Sequence, residues 1–469
     1  MRWGPAVDAV RAALHGERAW LVGGTVRDSL LERPVVDVDV AVDADPEATA
    51  RALGATLRGP VFPLSEAFGA WRVLARGREY FCDVSRLQGD TIEADLARRD
   101  FSVNAMAVPV AGGETIDPHG GAADLEARRL RVLGASAYEA DPLRPLRLAR
   151  LAGELGFAPD AETERLTRQA APRTAEASAE RVWAELRRLV VSGGAIDALG
   201  LADRCALLEA VMPELHALHG VEQSHYHHLD VYEHTIEVLA RQIELEQVLE
   251  EVFGELAPRV AAVLDEPLAD ELTRGQALRF GALLHDVGKP ATRGLRPDGR
   301  ITFIGHDAVG DEMVGTLCRR LRTSERFRSF LGGLARHHLV LGFLVRSVPL
   351  SRRDVYRYLK HTSPVEVDVT VLSCADRLAT RGRNAEAAIA AHLELARELM
   401  AEALDWRTAG PPRPPLKGDE LAVELGIEPG PEIGELLAQL EEAAYAGEAA
   451  SREEALELAR RLASRDGES

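Results

Sequence analysis

The sequence predicts an α/β head followed by an all-helical remainder, because strand and helix signals alternate over residues 1 to 138 and helical periodicity dominates beyond them. The first elements carry the chemistry. Trp20-Leu21-Val22 reads as a strand end, Gly23-Gly24 as a tight turn and Val26 to Leu31 as a short helix start. Backbone amides in such a turn, together with the helix N-terminus, suit a triphosphate.

The apolar stretch Val35 to Val42 that follows is a strand carrying Asp37 and Asp39. Strand residues two apart share a face at about 6 to 7 Å, so both carboxylates enter one site. Hard oxygen ligands of this kind suit Mg²⁺, and two such ions about 3.5 to 4 Å apart activate a 3′-hydroxyl and stabilise a leaving pyrophosphate. A phosphate cradle one strand before a carboxylate pair points to metal-dependent nucleotidyl transfer. Asp83, in the apolar strand Tyr80 to Val84, sits where a third carboxylate would enter from a neighbouring strand.

From these residues onward the chain resembles the class II tRNA nucleotidyltransferases, the CCA-adding enzymes and bacterial poly(A) polymerases. Gly23, Gly24, Arg27, Asp28, Asp37 and Asp39 match the first motif, and Arg98 to Ala107, with Arg99, Asp100 and Asn104, the second. Asp117-Pro118-His119-Gly120-Gly121 with Asp124-Leu125 resembles the family's hinge, Asp141 to Arg147 the fourth motif, and Glu180-Arg181 with Glu185-Leu186 the fifth. The resemblance implies a DNA polymerase beta-like mixed sheet in the head. It also implies that Gly23, Gly24 and Arg27 hold the triphosphate, that Asp100 and Asn104 contact the ribose, and that tRNA, CTP and ATP are the partners.

Asp141 and Arg144, three apart on a predicted helix, face the same way. An aspartate acceptor beside an arginine fork can hydrogen-bond the Watson-Crick edge of a base, and the resemblance makes the pair a protein template for CTP or ATP. The plainer alternative is an intrahelical ion pair worth a few tenths of a kcal/mol. The family usually has an acid directly before this aspartate, whereas here the neighbour is Ala140. Arg147 and Arg150 extend the positive face, with Arg147 placed to hold triphosphate or RNA backbone, while Leu143 and Leu146 supply part of the buried side. Between Asp83 and Arg98 the chain lacks the longer flexible loop of CCA-adding members. A shortened loop resembles CC-adding enzymes, which favours CC addition over CCA addition, A addition or polyadenylation.

The second half carries His234, His285-Asp286, His306, His337 and Asp376 on predicted helices. This order resembles the HD phosphohydrolase superfamily. Imidazole and carboxylate ligands from facing helices build metal sites in bundles, and the mixed set suits Mn, Fe, Ni or Zn. The implied activity is phosphatase or phosphodiesterase action on nucleotide ends, with a purely structural module as the alternative. His216, His219, His225, His227, His228 and His361 read as ordinary helix-face histidines. The rival reading of the whole chain is a hydrolase whose head only binds RNA.

The resulting division is a head over 1–138, a helical neck and body over 139–224, an HD module over 225–385 and a helical tail over 386–469, with Arg407 to Pro415 as a Pro-rich linker. The tail resembles the family segment that touches the tRNA elbow. No apolar run approaches the ~20 residues of a membrane span, Met1-Arg2-Trp3-Gly4-Pro5 carries no signal-peptide core, and Cys82, Cys205, Cys318 and Cys374 are scattered. A cytoplasmic protein is expected; monomer and homodimer both stay open. The net charge of −19 argues against broad RNA affinity. Arginines nevertheless cluster at Arg98-Arg99, Arg144-Arg147-Arg150 and Arg187-Arg188, and local patches outweigh the sum.

Overall fold

A computed structural model describes residues 3–65, 69–77, 80–223, 229–380 and 385–466. The chain divides into two compact units, Met1–Val211 and Met212–Ser469. His225, His227 and His228 lie outside the described residues.

The first unit opens with α1 (Pro5–Ala13), β1 (Ala19–Val22), α2 (Gly24–Leu30), β2 (Asp37–Val42) and α3 (Pro46–Leu57). Asp45 starts α3 by accepting the amides of Glu47 and Ala48, with Pro46 at the first turn, where its missing N–H costs nothing. Then come β3 (Val61–Ser65), β4 (Ala70–Leu74), β5 (Phe81–Arg86), α4 (Ile92–Leu96) and β6 (Ala107–Pro109). The six strands form one sheet in the order β3-β4-β5-β2-β1-β6. Only β2 and β5 run parallel within it; β1 with β2, β1 with β6, β3 with β4 and β4 with β5 are antiparallel. This is the expected mixed sheet.

Beyond the sheet lie α5 (Gly121–Glu126), β7 (Arg129–Leu130), α6 (Ala135–Ala140), α7 (Arg144–Leu155), β8 (Ala158–Pro159), α8 (Ala161–Ala170) and α9 (Ala179–Val191). The remainder is mainly helical as expected, apart from the short parallel pair β7 and β8 and two short antiparallel pairs, Pro267–Ala269 with Leu272–Thr273 and Gly294–Leu295 with Ile301–Thr302. Leu146, Leu148, Leu151, Leu186 and Leu189 are fully buried, so α7 and α9 pack through their apolar stripes. That packing leaves Arg144, Arg147 and Arg150 of α7 and Arg188 of α9 lining a cavity with Asp37 and Asp39 of β2.

In the second unit, helices Val231–Gln247, Arg274–Leu284, Glu325–His337 and Glu366–Ala379 pack around one core, with His306–Arg320 against Glu325–His337. Capping boxes at Asp230 with Glu233 and at Thr273 with Gln276 fix where the first two begin. Two corrections concern boundaries. The helix predicted to carry His285-Asp286 stops at Leu284, with His285 as its cap, and a separate turn of helix, Lys289–Thr292, follows. The helix Ala385–Ala409 runs through Arg407, so the Pro-rich connection starts only at Gly410. Arg407 is held by Glu266, which explains why the helix persists there. The tail helices Gly418–Leu425, Pro431–Ala446 and Arg452–Asp466 share a core of Leu421, Ile433, Leu440 and Ala455.

Candidate active sites

In the first unit a cavity of about 390 Å³ opens between β2 and α7, lined by Gly23, Gly24, Arg27, Asp28, Asp37, Asp39, Arg99, Asp100, Asn104, Arg144 and Arg147, together with Arg150 and Arg188. The expected residues thus converge, with Asp141 as the exception. Asp37 and Asp39 sit on one face of β2, and their carboxylate oxygens and that of Asp83 come within 4.8 Å of one another. A residue the sequence did not single out fixes this strand end. The buried Thr25 hydroxyl accepts the Asp39 amide at 2.7 Å and donates to the Asp37 carbonyl at 3.3 Å, which ties the turn to the carboxylate strand.

The glycine turn has a steric reason. Gly23 sits at φ 63°, where side chains are strained, and a Cβ there would lie 2.8 Å from Arg99 Nη1 and 3.4 Å from Asp39. The space beside the carboxylates is therefore kept free. Arg27 is buried and donates to Asp28 at 2.9 and 2.8 Å and to Asn104 Oδ1 at 2.6 Å. Asp100 accepts from Asn104 at 3.0 Å and from the Phe101 amide at 2.8 Å, and pairs with Arg147 at 3.0 Å. The second motif is thus wired to α2 on one side and to α7 on the other.

Asp141 and Arg144 do not share a helix face. Asp141 follows α6 with extended dihedrals and pairs with Arg181 at 2.6 Å, outside the cavity lining, because the residue before a proline is driven out of the helical region. Arg144 begins α7 and donates to the carbonyls of Arg98, Arg99 and Ala137 at 2.9, 3.3 and 2.9 Å. Its charge faces no carboxylate in these bonds, which leaves it attractive to an anion or a base edge.

Burial first, and then the neighbouring Asp39 and Asp83, push the Asp37 carboxyl up to about 7, and burial with Asp83 pushes Asp39 to about 6 despite Arg99 and Arg27. A crowded carboxylate pair of this kind fits a divalent cation. The sign of the pH effect follows. The folded, metal-free chain holds protons between about pH 4 and 7 that the unfolded chain releases, so its stability falls as pH rises through that window. A cation must displace those protons, so its stabilising effect grows with pH. The Mg²⁺-induced rise in melting temperature is expected to be larger at pH 8 than at pH 5.5; scanning calorimetry with an equal or larger rise at pH 5.5 would contradict this.

The second unit gathers His234, His285, Asp286, His306 and Asp376 as expected, around a cavity of about 580 Å³. Asp286 is the hub. Its oxygens lie 3.1 Å from His285 Nε2, 3.3 Å from His306 Nε2 and 3.9 Å from His234 Nε2, while His234 Nε2 is 3.0 Å from Asp376. His337 is a correction: its neighbour His338 enters the cluster instead, with Nε2 3.6 Å from Asp286 and 3.3 Å from His306 Nε2. Adjacent helix residues point about 100° apart, and His337 packs on His361 with ring centroids 4.6 Å apart. Burial and His361 lower His337 to about 4.

His285, His306 and His338 each place Nδ1 on a carbonyl three residues upstream, of Ala282, Phe303 and Ala335, at 2.9, 2.7 and 2.8 Å. An Nδ1–H donor fixes the tautomer and presents the Nε2 lone pair inward, as metal-ligating histidines require. Lys289, unassigned in the sequence, reaches Asp286 at 2.6 Å and Gln223 at 2.7 Å. Burial alone would raise Asp286, but His285 and Lys289 hold its carboxyl well below the usual range. The donor set is mixed imidazole and carboxylate, which fits a divalent transition metal.

The chain matches the Poly A polymerase head domain over residues 19–131, the probable RNA and SrmB-binding site of polymerase A over 156–218, and the HD domain over 231–381. It is 37% identical to an A-adding tRNA nucleotidyltransferase of Deinococcus radiodurans, over 95% of each chain. The chain belongs to the tRNA nucleotidyltransferase family. A CC-adding tRNA nucleotidyltransferase of Thermus thermophilus is 36% identical, covering 93% of this nucleotidyltransferase and 92% of the relative. A solved CCA-adding enzyme with ATP superposes with a TM-score of 0.64 at 20% identity, over 98% and 95% of the chains, and shares the fold. This tRNA nucleotidyltransferase is an enzyme whose head and HD modules belong to metal-dependent classes.

Proposed function

We propose that this nucleotidyltransferase transfers CMP from CTP to a tRNA 3′-end and stops after two additions. The observation that carries the choice is the connection between β5 and α4, residues 87–91, which has no room for a mobile loop. It is closed by the Gln88 amide on Asp95 at 2.9 Å and by Thr91 capping the Ala94 amide at 3.2 Å. The A-adding and CC-adding relatives are nearly equal in identity, so similarity alone does not choose between them.

In this reading Asp37 and Asp39 hold Mg²⁺, which would lower the barrier to 3′-hydroxyl attack on the α-phosphate and neutralise charge on the departing pyrophosphate. Gly23 and Gly24 admit the triphosphate, Arg27 and Arg147 balance its charge, and Arg99, with the Asp100–Asn104 pair, orients the ribose. Arg144 reads the base edge, and Asp141 joins it when its Arg181 pair opens. Catalysis is then positioning and charge stabilisation, with no covalent nucleophile.

The divisions at 138, 224 and 385 mark head, neck with body, HD module and tail, with the tail reaching the tRNA elbow. The HD cluster takes Mn, Ni, Fe or Zn and hydrolyses phosphate esters at nucleotide ends, supported by the three inward Nε2 atoms. The buried, unpaired Cys82, Cys205, Cys318 and Cys374 support a reducing cytoplasm. As a first test, a tRNA transcript already ending in CC, given ATP and Mg²⁺, is expected to stay unextended. Growth by one adenosine would contradict the CC assignment.

A further inference from the structure

On the reading of Asp37 and Asp39 as the metal pair, we infer that Arg72 is a positioning residue that holds Asp83 out of the metal's coordination shell. The sheet register brings the groups together. Asp83 on β5 lies beside Asp39 on β2 and opposite Arg72 on β4, so all three project from one face. Asp83 is close enough to serve as a third ligand, since one of its oxygens falls within 4.8 Å of oxygens of Asp37 and Asp39.

Both Asp83 oxygens are already taken. Arg72 Nε donates to one at 2.7 Å and Nη2 to the other at 2.7 Å. The guanidinium also lies over the Phe81 ring at 3.9 Å, and the two side chains are only 26% and 16% exposed. A bidentate, shielded, charge-assisted pair is among the stronger polar contacts, and a planar guanidinium fork loses little freedom in making it.

The charge count gives this arrangement its consequence. Three carboxylates with Arg72 carry a net charge of −2 when ionised, the match for one divalent cation. Mg²⁺ is ordinarily bound through one or two carboxylates with substrate oxygens filling the other positions. A free Asp83 would take a position that the triphosphate or the 3′-oxygen needs and would draw the ion toward β5. Arg72 therefore keeps the ion on Asp37 and Asp39 and leaves its remaining positions to substrate.

The test is Mn²⁺ binding to the metal-free full chain, followed by the paramagnetic resonance of free Mn²⁺, with every variant made in an Asp286→Asn background so that the HD cluster takes up no ion. Asp39→Asn is expected to weaken binding at the head by about tenfold or more, and Asp83→Asn by less than about threefold, because Asp83 supplies no ligand atom and its charge is already offset by Arg72. Arg72→Met is expected to tighten binding by about threefold or more by releasing a carboxylate, and the Arg72→Met/Asp83→Asn double variant to lose that gain. Arg72→Met also lowers kcat of CMP addition more than it raises KM for CTP. Arg72→Lys, which keeps the charge but not the fork, gives a smaller gain and guards against a folding defect in the methionine variant. Binding by Asp83→Asn as weak as by Asp39→Asn, or no gain in either Arg72 variant, overturns the assignment of Arg72. If Asp39→Asn itself leaves Mn²⁺ binding at the head unchanged, the metal pair is wrong instead.

Discussion

Asp39→Asn is expected to abolish nucleotide addition while hydrolysis at the HD cluster continues. Asp39 is half-buried in the cavity wall, its amide is held by Thr25, and its carboxylate faces Asp37 and Asp83. Asparagine keeps the shape and the Thr25 bond but loses the charge. Metal assistance to phosphoryl chemistry is worth several kcal/mol, so removal of one ligand lowers kcat by about a thousandfold. The HD residues belong to the other compact unit and have no part in this site. Gel-resolved tRNA extension alongside Mn²⁺-dependent hydrolysis of bis-p-nitrophenyl phosphate checks both halves; surviving addition would show that the carboxylate assignment is wrong.

Asp286→Asn is the reciprocal change. The carboxylate sits among His285, His306 and His338 and carries the Lys289 ammonium at 2.6 Å. Its loss should weaken metal binding by at least about 100-fold, since even outer-sphere changes cost 10- to 100-fold. Lys289 would then be buried without its carboxylate, which costs about 3 to 5 kcal/mol for a broken buried pair. The variant is expected to be purified without bound transition metal, to unfold at lower denaturant and to retain CMP addition. Metal content by elemental analysis and denaturant curves report the first two, and metal retained at wild-type stoichiometry would remove Asp286 from the ligand set.

Both sites were legible in the sequence where their geometry is local. Asp37 and Asp39 need only the twofold strand repeat, and the Gly23-Gly24 turn needs only its neighbours. Two misplacements had local signals that outweighed the pattern used. Asp141 precedes Pro142, which disfavours helix, so it lies off the helix that Arg144 begins. Leu331, Leu334 and Ala335 are buried, and their spacing continues to His338 rather than His337. Arg72 on Asp83 was beyond sequence reading, because strand partners and register are set by tertiary pairing. Lys289 stands three residues after Asp286, a spacing that brings the two together on a helical turn, yet nothing in the local pattern marked it as more than a surface lysine.

The most direct measurement is the sequence of tRNA 3′-ends after reaction. Transcripts ending at the discriminator base, after one C and after two, are incubated with the purified chain, Mg²⁺, CTP and ATP. The short β5 to α4 connection with an intact Asp37 and Asp39 pair predicts products that end in CC from the first two transcripts, no growth of the third, and no products from Asp39→Asn. Products ending in CCA, or in a single added A, would contradict the loop-based assignment, and no extension of any transcript would contradict nucleotidyl transfer at this site.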